Sequence, residues 1–206
     1  MNTLTPKQGS IVTISASMSK GDMIGLKQAL IDGLNQGLTI NEIKEILVQL
    51  YAYVGFPRSL NGLSVFKDLL EERQREGITD TVGSTSAPLP TNISALELGT
   101  KIQTKVVGKP VTGGIMDFSP VIDQFLKAHL FGDIFGRDIL SYEDREIATL
   151  AALSTLAGAD SQIKSHIQIA QNVGVSFTKL DAIANILKSK IGEMEFERFN
   201  RAVKGQ

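Results

Sequence analysis

The sequence predicts an all-α fold, and three observations lead to it. Apolar residues recur at intervals of three and four over successive stretches. Each stretch is bounded by a helix-start or helix-stop signal. No alternating β-branched run is long enough to build a sheet, residues 104–107 and 111–112 being the only weak strand candidates.

Residues 9–19 place Ile11, Ile14, Ser15 and Met18 on one helical face. Lys20-Gly21-Asp22 breaks that segment, and a second helix carries Leu26, Leu30, Ile31 and Leu34 as far as Gly37, where a left-handed stop is free of steric cost. Thr39-x-x-Glu42 reads as a capping box that opens a third helix with Ile43, Ile46, Leu47 and Leu50. This helix runs through Tyr51, Tyr53 and Val54 to Gly55-Phe56-Pro57. Pro57 suits the first turn of another helix, with Leu60, Leu63, Phe66 and Leu70, that ends in charged, solvated residues 71–75.

Residues 77–92 are mostly Gly, Ser, Thr and Pro and read as a linker. A modest helix is expected over 94–107. Ser119-Pro120 opens the next one, which sets Ile122, Phe125, Leu126 and His129 near one face. Ser141-x-x-Asp144 starts a helix with Ile147, Leu150, Ala151 and Ser154. Asp160 is expected to cap one with Ile163, Ile167 and Ala170, ending at Gly174, and Ser176 begins another with Leu180, Ile183, Ile186 and Leu187. The domain expectation is a first helical unit over 1–76, a linker over 77–95 and a second unit over 96–206.

Composition narrows the function. The 206 residues are 42% hydrophobic and 21% charged with a net charge of -1, and no basic stripe offers the footprint of a nucleic-acid binder. No apolar run approaches the roughly 20 residues that cross a bilayer. Residues 1–8 lack a charged-then-apolar leader, so a cytoplasmic protein without a membrane partner is expected. There is no cysteine, which removes disulfides, thiol nucleophiles and CxxC chemistry, and His129 and His166 are the only histidines. Neither a metal nor any other cofactor is expected.

Two segments share one plan of helix, break, helix, Asn-x-Gly, cap, helix. Asn35-Gln36-Gly37-Leu38-Thr39 matches Asn172-Val173-Gly174-Val175-Ser176. With those glycines aligned, Leu26 meets Ile163, Leu30 meets Ile167, Ile43 meets Leu180, Ile46 meets Ile183 and Leu50 meets Leu187. After a one-residue shift, Ile11-Val12-Thr13-Ile14 meets Ile147-Ala148-Thr149-Leu150. The copies differ in their polar residues: Arg145, Glu146 and His166 fall opposite Gly9, Ser10 and Ala29, and Tyr53-Val54-Gly55-Phe56-Pro57 finds no counterpart after Leu187. One composite site per pair of copies is the simplest reading.

Several stretches together resemble the carboxymuconolactone decarboxylase family, within the alkylhydroperoxidase-D-like fold. They are residues 144–153 (from Asp144-Arg145-Glu146), Gln162-Ile163-Lys164-Ser165-His166 and Asn172-Val173-Gly174, with residues 129–137 and Leu140-Ser141 upstream. In the first copy they are residues 35–39, 42–47 and 53–60. The resemblance implies an all-α bundle with two diverged units in tandem, of a kind that associates into trimers or hexamers, and a homo-oligomer, a trimer by preference, is expected.

The resemblance also implies chemistry. The alkylhydroperoxidase branch needs a CxxC pair, but Ala159 and Gln162 stand at those positions, so thiol peroxidase activity is not expected. The decarboxylase branch needs no thiol: it needs a proton carrier and donors for carboxylate and carbonyl oxygens. His166 is the expected proton carrier with Glu146 orienting it, Arg145 or Arg137 would hold a substrate carboxylate, and Tyr53 and His129 are further candidates for the substrate side. A lyase-type activity on a small carboxylated lactone or related organic acid is the leading expectation.

Plainer roles fit the same residues. His166 follows Lys164 by two on an amphipathic helix, as an exposed surface histidine would. A first-turn carboxylate such as Glu146 is favoured by the helix dipole alone. Arg145 and Arg137 equally suit interhelix ion pairs, His129 beside Phe131 a structural role, and Tyr53 a core position with its hydroxyl at the rim. A non-catalytic oligomer or small-molecule binder is therefore the alternative, and a thiol-independent oxidoreductase a third. If the Gly158 break folds the two helices back on each other, Glu146 and His166 come to share a pocket with a stagger of about 7 Å along the axes. His166→Ala is then expected to abolish turnover or acid binding while barely changing thermal stability.

Overall fold

The computed structural model describes residues 3–205. Ten α-helices and two π-helical segments follow one another in it, with no strand among the described residues: α1 (Pro6–Lys20), α2 (Met23–Asn35), α3 (Ile40–Arg75), α4 (Ala95–Val107), α5 (Ile115–Phe118), α6 (Pro120–Phe125), a π segment (Leu126–Ile134), α7 (Tyr142–Leu153), α8 (Asp160–Asn172), α9 (Phe177–Ile186), a second π segment (Leu187–Ile191) and α10 (Glu193–Lys204). No helix of it is long and apolar enough to cross a membrane. Residues 104–107, weak strand candidates by composition, complete the last turn of α4.

The local signals explain the boundaries. Thr5, Thr39, Ser141 and Ser176 each accept a hydrogen bond from the backbone three residues on, and Thr5-Gln8 and Thr39-Glu42 close full capping boxes. Asp160 does not cap α8. It lies inside the first turn, Ala159 takes the cap position with no side-chain bond, and the dipole favours the carboxylate there, with Arg201 at 3.8 Å.

α1 and α7, the equivalent helices of the two units, pack against each other and are buried along most of their lengths. Helices α2 and α3 cover α1, while α8 and α3 pack on α7, so one continuous core runs from Ile11 through Leu50, Leu150 and Ile183 to Phe199. A satellite core of Ile102, Val106, Leu130, Phe131, Ile134, Phe135 and Ile169 joins α4 to the first π segment. These two cross with backbones in contact: a Cβ on Gly99 would lie 1.6 Å from the Lys127 carbonyl oxygen, and one on Gly132 would lie 2.3 Å from that of Ala95.

The repeat extends one helix further than the sequence suggests. Gly55 (φ 80°, ψ 164°) breaks α3 just before Pro57, and Gly192 (φ 158°, ψ 161°) separates the second π segment from α10 at the equivalent position. The final helix of each unit thus leaves from a glycine at the matching position, with φ positive at Gly55 and close to extended at Gly192. What the second unit lacks is the chemistry upstream, for Lys190 stands where the first has Tyr53.

Candidate active site

Three helices supply the candidate site, and the spacing along each explains why. On α3, Glu45, Gln49 and Tyr53 are four residues apart and form one row. On α7, Arg145 and Thr149 form a second row, with Glu146 turned towards α8. α8 contributes His166.

His166 and Glu146 are in direct contact: imidazole Nδ1 lies 2.8 Å from carboxylate Oε2. The expected stagger is closed without an intervening atom. Glu146 is fully buried and the His166 side chain 13% exposed. A carboxylate only accepts, so Nδ1 carries the hydrogen and the neutral ring keeps its lone pair on Nε2. Glu146 Oε1 is buried without a hydrogen-bond partner. The Tyr53 ring stands edge-on to His166, with centroids 6.0 Å apart.

Behind Tyr53 runs a buried polar network. Its oxygen lies 3.2 Å from Thr149 Oγ1, which lies 3.0 Å from Gln49 Nε2. Gln49 Oε1 accepts from Arg145 Nη1 at 2.8 Å, and Arg145 Nη2 donates to Glu45 Oε1 at 2.8 Å and to the Arg137 carbonyl at 2.9 Å. Burial, then the negative charge of Glu146, push the Tyr53 phenol well above its ordinary range, outweighing the Thr149 hydrogen bond and the charge of Arg145. Tyr53 is accordingly expected to stay un-ionised in an alkaline NMR titration of 13C-labelled tyrosines after the unfolded chain would have titrated. Its contribution to stability is fully present below the ordinary phenol value of about 10 and is lost above it, as the unfolded state gives up the proton and the folded state does not. An early Tyr53 titration in folded protein would contradict this.

The other expected site residues lie apart from the His166 pair. Arg145 was expected to grip a carboxylate, but it is 0% exposed, with both terminal nitrogens engaged inside the protein, and burial pulls its pKa down. Arg137 forms a two-point contact with Glu45, at 3.0 Å to each oxygen, on the wall of a different cleft of about 170 Å³. His129 pairs with Asp133 at 2.8 Å on an exposed face and packs against Tyr51. Glu45, Gln49 and Thr149 were not singled out from sequence. The available signal was the row of polar residues at four-residue spacing inside an apolar helix.

The pseudo-equivalent position in the other direction has none of this. Gly9, Ser10 and Ala29 replace Arg145, Glu146 and His166, and Ile186 and Lys190 replace Gln49 and Tyr53. A Cβ on Gly9 would sit 3.6 Å from Ile186 Cδ1, so the same helix crossing recurs with its polar contacts gone. An open cleft of about 510 Å³ lies there, lined in part by Ser10, Thr13 and Lys190. The His–Glu pair and the Arg145 network thus stand at one of the two equivalent crossings and have no counterpart at the other.

The model of the carboxymuconolactone decarboxylase family matches residues 2–68 and 120–194, one segment in each unit. Comparison with curated proteins finds no matching sequence. The two matched segments span most of the chain, include every residue of the His166 site and leave out residues 69–119 and 195–206. The chain belongs to the carboxymuconolactone decarboxylase family.

Proposed function

We propose that the protein is a carboxymuconolactone-decarboxylase-like enzyme acting on a small carboxylated lactone or a related organic acid. The observation that carries this reading is the 2.8 Å contact between His166 Nδ1 and the buried Glu146 carboxylate. It holds the ring in one tautomer and stabilises the imidazolium that forms when Nε2 takes a proton. In such a reaction the bond to the carboxylate carbon breaks and carbon dioxide leaves. The electron pair passes into the unsaturated lactone, and protonated His166 returns a proton to carbon before being recharged from solvent. Arg145 and Arg137 are engaged elsewhere, so contact with the substrate's oxygens falls to the imidazolium and the Tyr53 hydroxyl.

Incubation with γ-carboxymuconolactone should release carbon dioxide in proportion to protein. Reduction of an alkyl hydroperoxide by a dithiol should stay at the no-protein rate, because the chain has no cysteine. Acid binding without any release of carbon dioxide would replace the enzyme with a binding protein.

Assembly belongs to the same proposal. Ile115, Phe118, Val121, Ile122 and Phe125 form an exposed apolar row, with Phe118 at 85% exposure, and Phe56 stacks on the Tyr51 ring that meets His129 one turn beyond Phe125. Rows of this kind mark contact surfaces. Light scattering should give the mass of a trimer of the 22.3 kDa chain, and Phe118→Glu should reduce it. A monomer mass for the unaltered protein would overturn the assembly.

A further inference from the structure

The contacts behind Tyr53 have a direction, and Arg145 sets it. A guanidinium has only donors, so the Gln49 atom 2.8 Å from Arg145 Nη1 is the amide oxygen. The Gln49 nitrogen therefore faces the other way and uses both hydrogens, one on the Arg145 carbonyl oxygen at 2.9 Å and one on Thr149 Oγ1 at 3.0 Å. Thr149 accepts from Gln49 and still has its own hydrogen to place. It is fully buried, and the Tyr53 oxygen at 3.2 Å is the acceptor that takes it. The reverse orientation, with Tyr53 donating to Thr149, would leave the Thr149 hydrogen buried with no acceptor among its described contacts. The Tyr53 oxygen thus accepts from within the network, and its own hydrogen is left for a partner outside it.

We propose that Arg145, Gln49 and Thr149 form a one-way hydrogen-bond relay that holds the Tyr53 hydroxyl as an obligate donor to an acceptor oxygen of the ligand bound beside His166. The ligand half of this rests on the reading of that site as one for an organic acid, while the relay itself is a property of the ligand-free protein. It selects a carboxylate or carbonyl oxygen and disfavours a ligand group that must itself donate. Glu45, at 2.8 Å from Arg145 Nη2, anchors the cation from which the direction starts. Arg145, Gln49 and Thr149 are positioning residues, while Tyr53 is the one that touches the ligand. Arg145 would therefore act on a carboxylate through three intervening side chains rather than by gripping it.

The test is ultraviolet resonance Raman spectroscopy of the tyrosine Fermi doublet, whose intensity ratio separates a phenol that accepts from one that donates. The chain has three tyrosines, so Tyr51→Phe with Tyr142→Phe leaves Tyr53 as the sole reporter. Without ligand, Tyr53 should give the acceptor ratio. Thr149→Val should abolish it, and Thr149→Ser, which keeps the hydroxyl and guards against a mere packing effect, should restore it. A saturated γ-lactone carboxylate, which has no unsaturation to take up the electron pair of decarboxylation, should then move the ratio towards donation. A donor ratio in ligand-free protein, or a ratio unmoved by Thr149→Val, would overturn the relay even if acids still bind at His166. An intact relay with no response to the lactone carboxylate and no measurable binding of it would instead overturn the organic-acid site, and with it the donor role.

Discussion

His166→Asn should lower turnover of a carboxylated lactone by about 10²- to 10⁴-fold, the usual contribution of a positioned proton carrier, while the protein stays folded. The choice of asparagine follows from the structure. The His166 Nδ1 is the hydrogen-bond partner of Glu146 Oε2, and Glu146 is fully buried with its other oxygen already unpartnered. Asparagine places an N–H close to the Nδ1 position and keeps that bond but has no second nitrogen to carry a proton. His166→Ala, which the sequence alone marks as silent in stability, strips the carboxylate of its partner and should cost about 1–3 kcal/mol. Steady-state kinetics and urea denaturation of the two variants separate the roles. Retained turnover in His166→Asn would return the histidine to a structural role.

Arg145→Leu should destabilise the protein by about 3–5 kcal/mol, because it leaves the Glu45 carboxylate in the interior without its nearest cation. Glu45 is 3% exposed, and its Oε1 lies 2.8 Å from Arg145 Nη2. The same change removes the donors to Gln49 Oε1 and to the Arg137 carbonyl. Arg137 retains its own contact with Glu45 and should soften the loss. Arg145→Leu combined with Glu45→Met should recover much of the stability, since replacing both members of a buried pair removes the uncompensated charge. Denaturation midpoints for the two single variants and the double variant measure the coupling. A single Arg145→Leu variant as stable as the parent would show that the network contributes little to folding.

Helix order was legible because it is written locally. Caps at Thr39, Ser141 and Ser176, a left-handed stop at Gly37 and the three-four spacing of Ile43, Ile46, Leu47 and Leu50 each act within a few residues, and the structure has them where they were read. The exceptions are also local. Ala159 rather than Asp160 takes a cap, and Gly192 matches Gly55 in identity and offset while the residues around the two glycines differ, so the sequence pattern breaks off before the final helix of the second unit.

By itself the sequence determined an all-α chain of two diverged units without thiol chemistry, and its family. These follow from periodicity, end signals and composition, all properties of neighbours along the chain. Which polar residues meet was decided by tertiary packing. Glu146 and Arg145 are adjacent in sequence, yet about 100° apart around a helix, so one turns to His166 on α8 and the other to Glu45 and Gln49 on α3. From the sequence both were candidates for the same site. Only the crossing of α7 between its two neighbours sends one to the imidazole and buries the other in an internal ion pair.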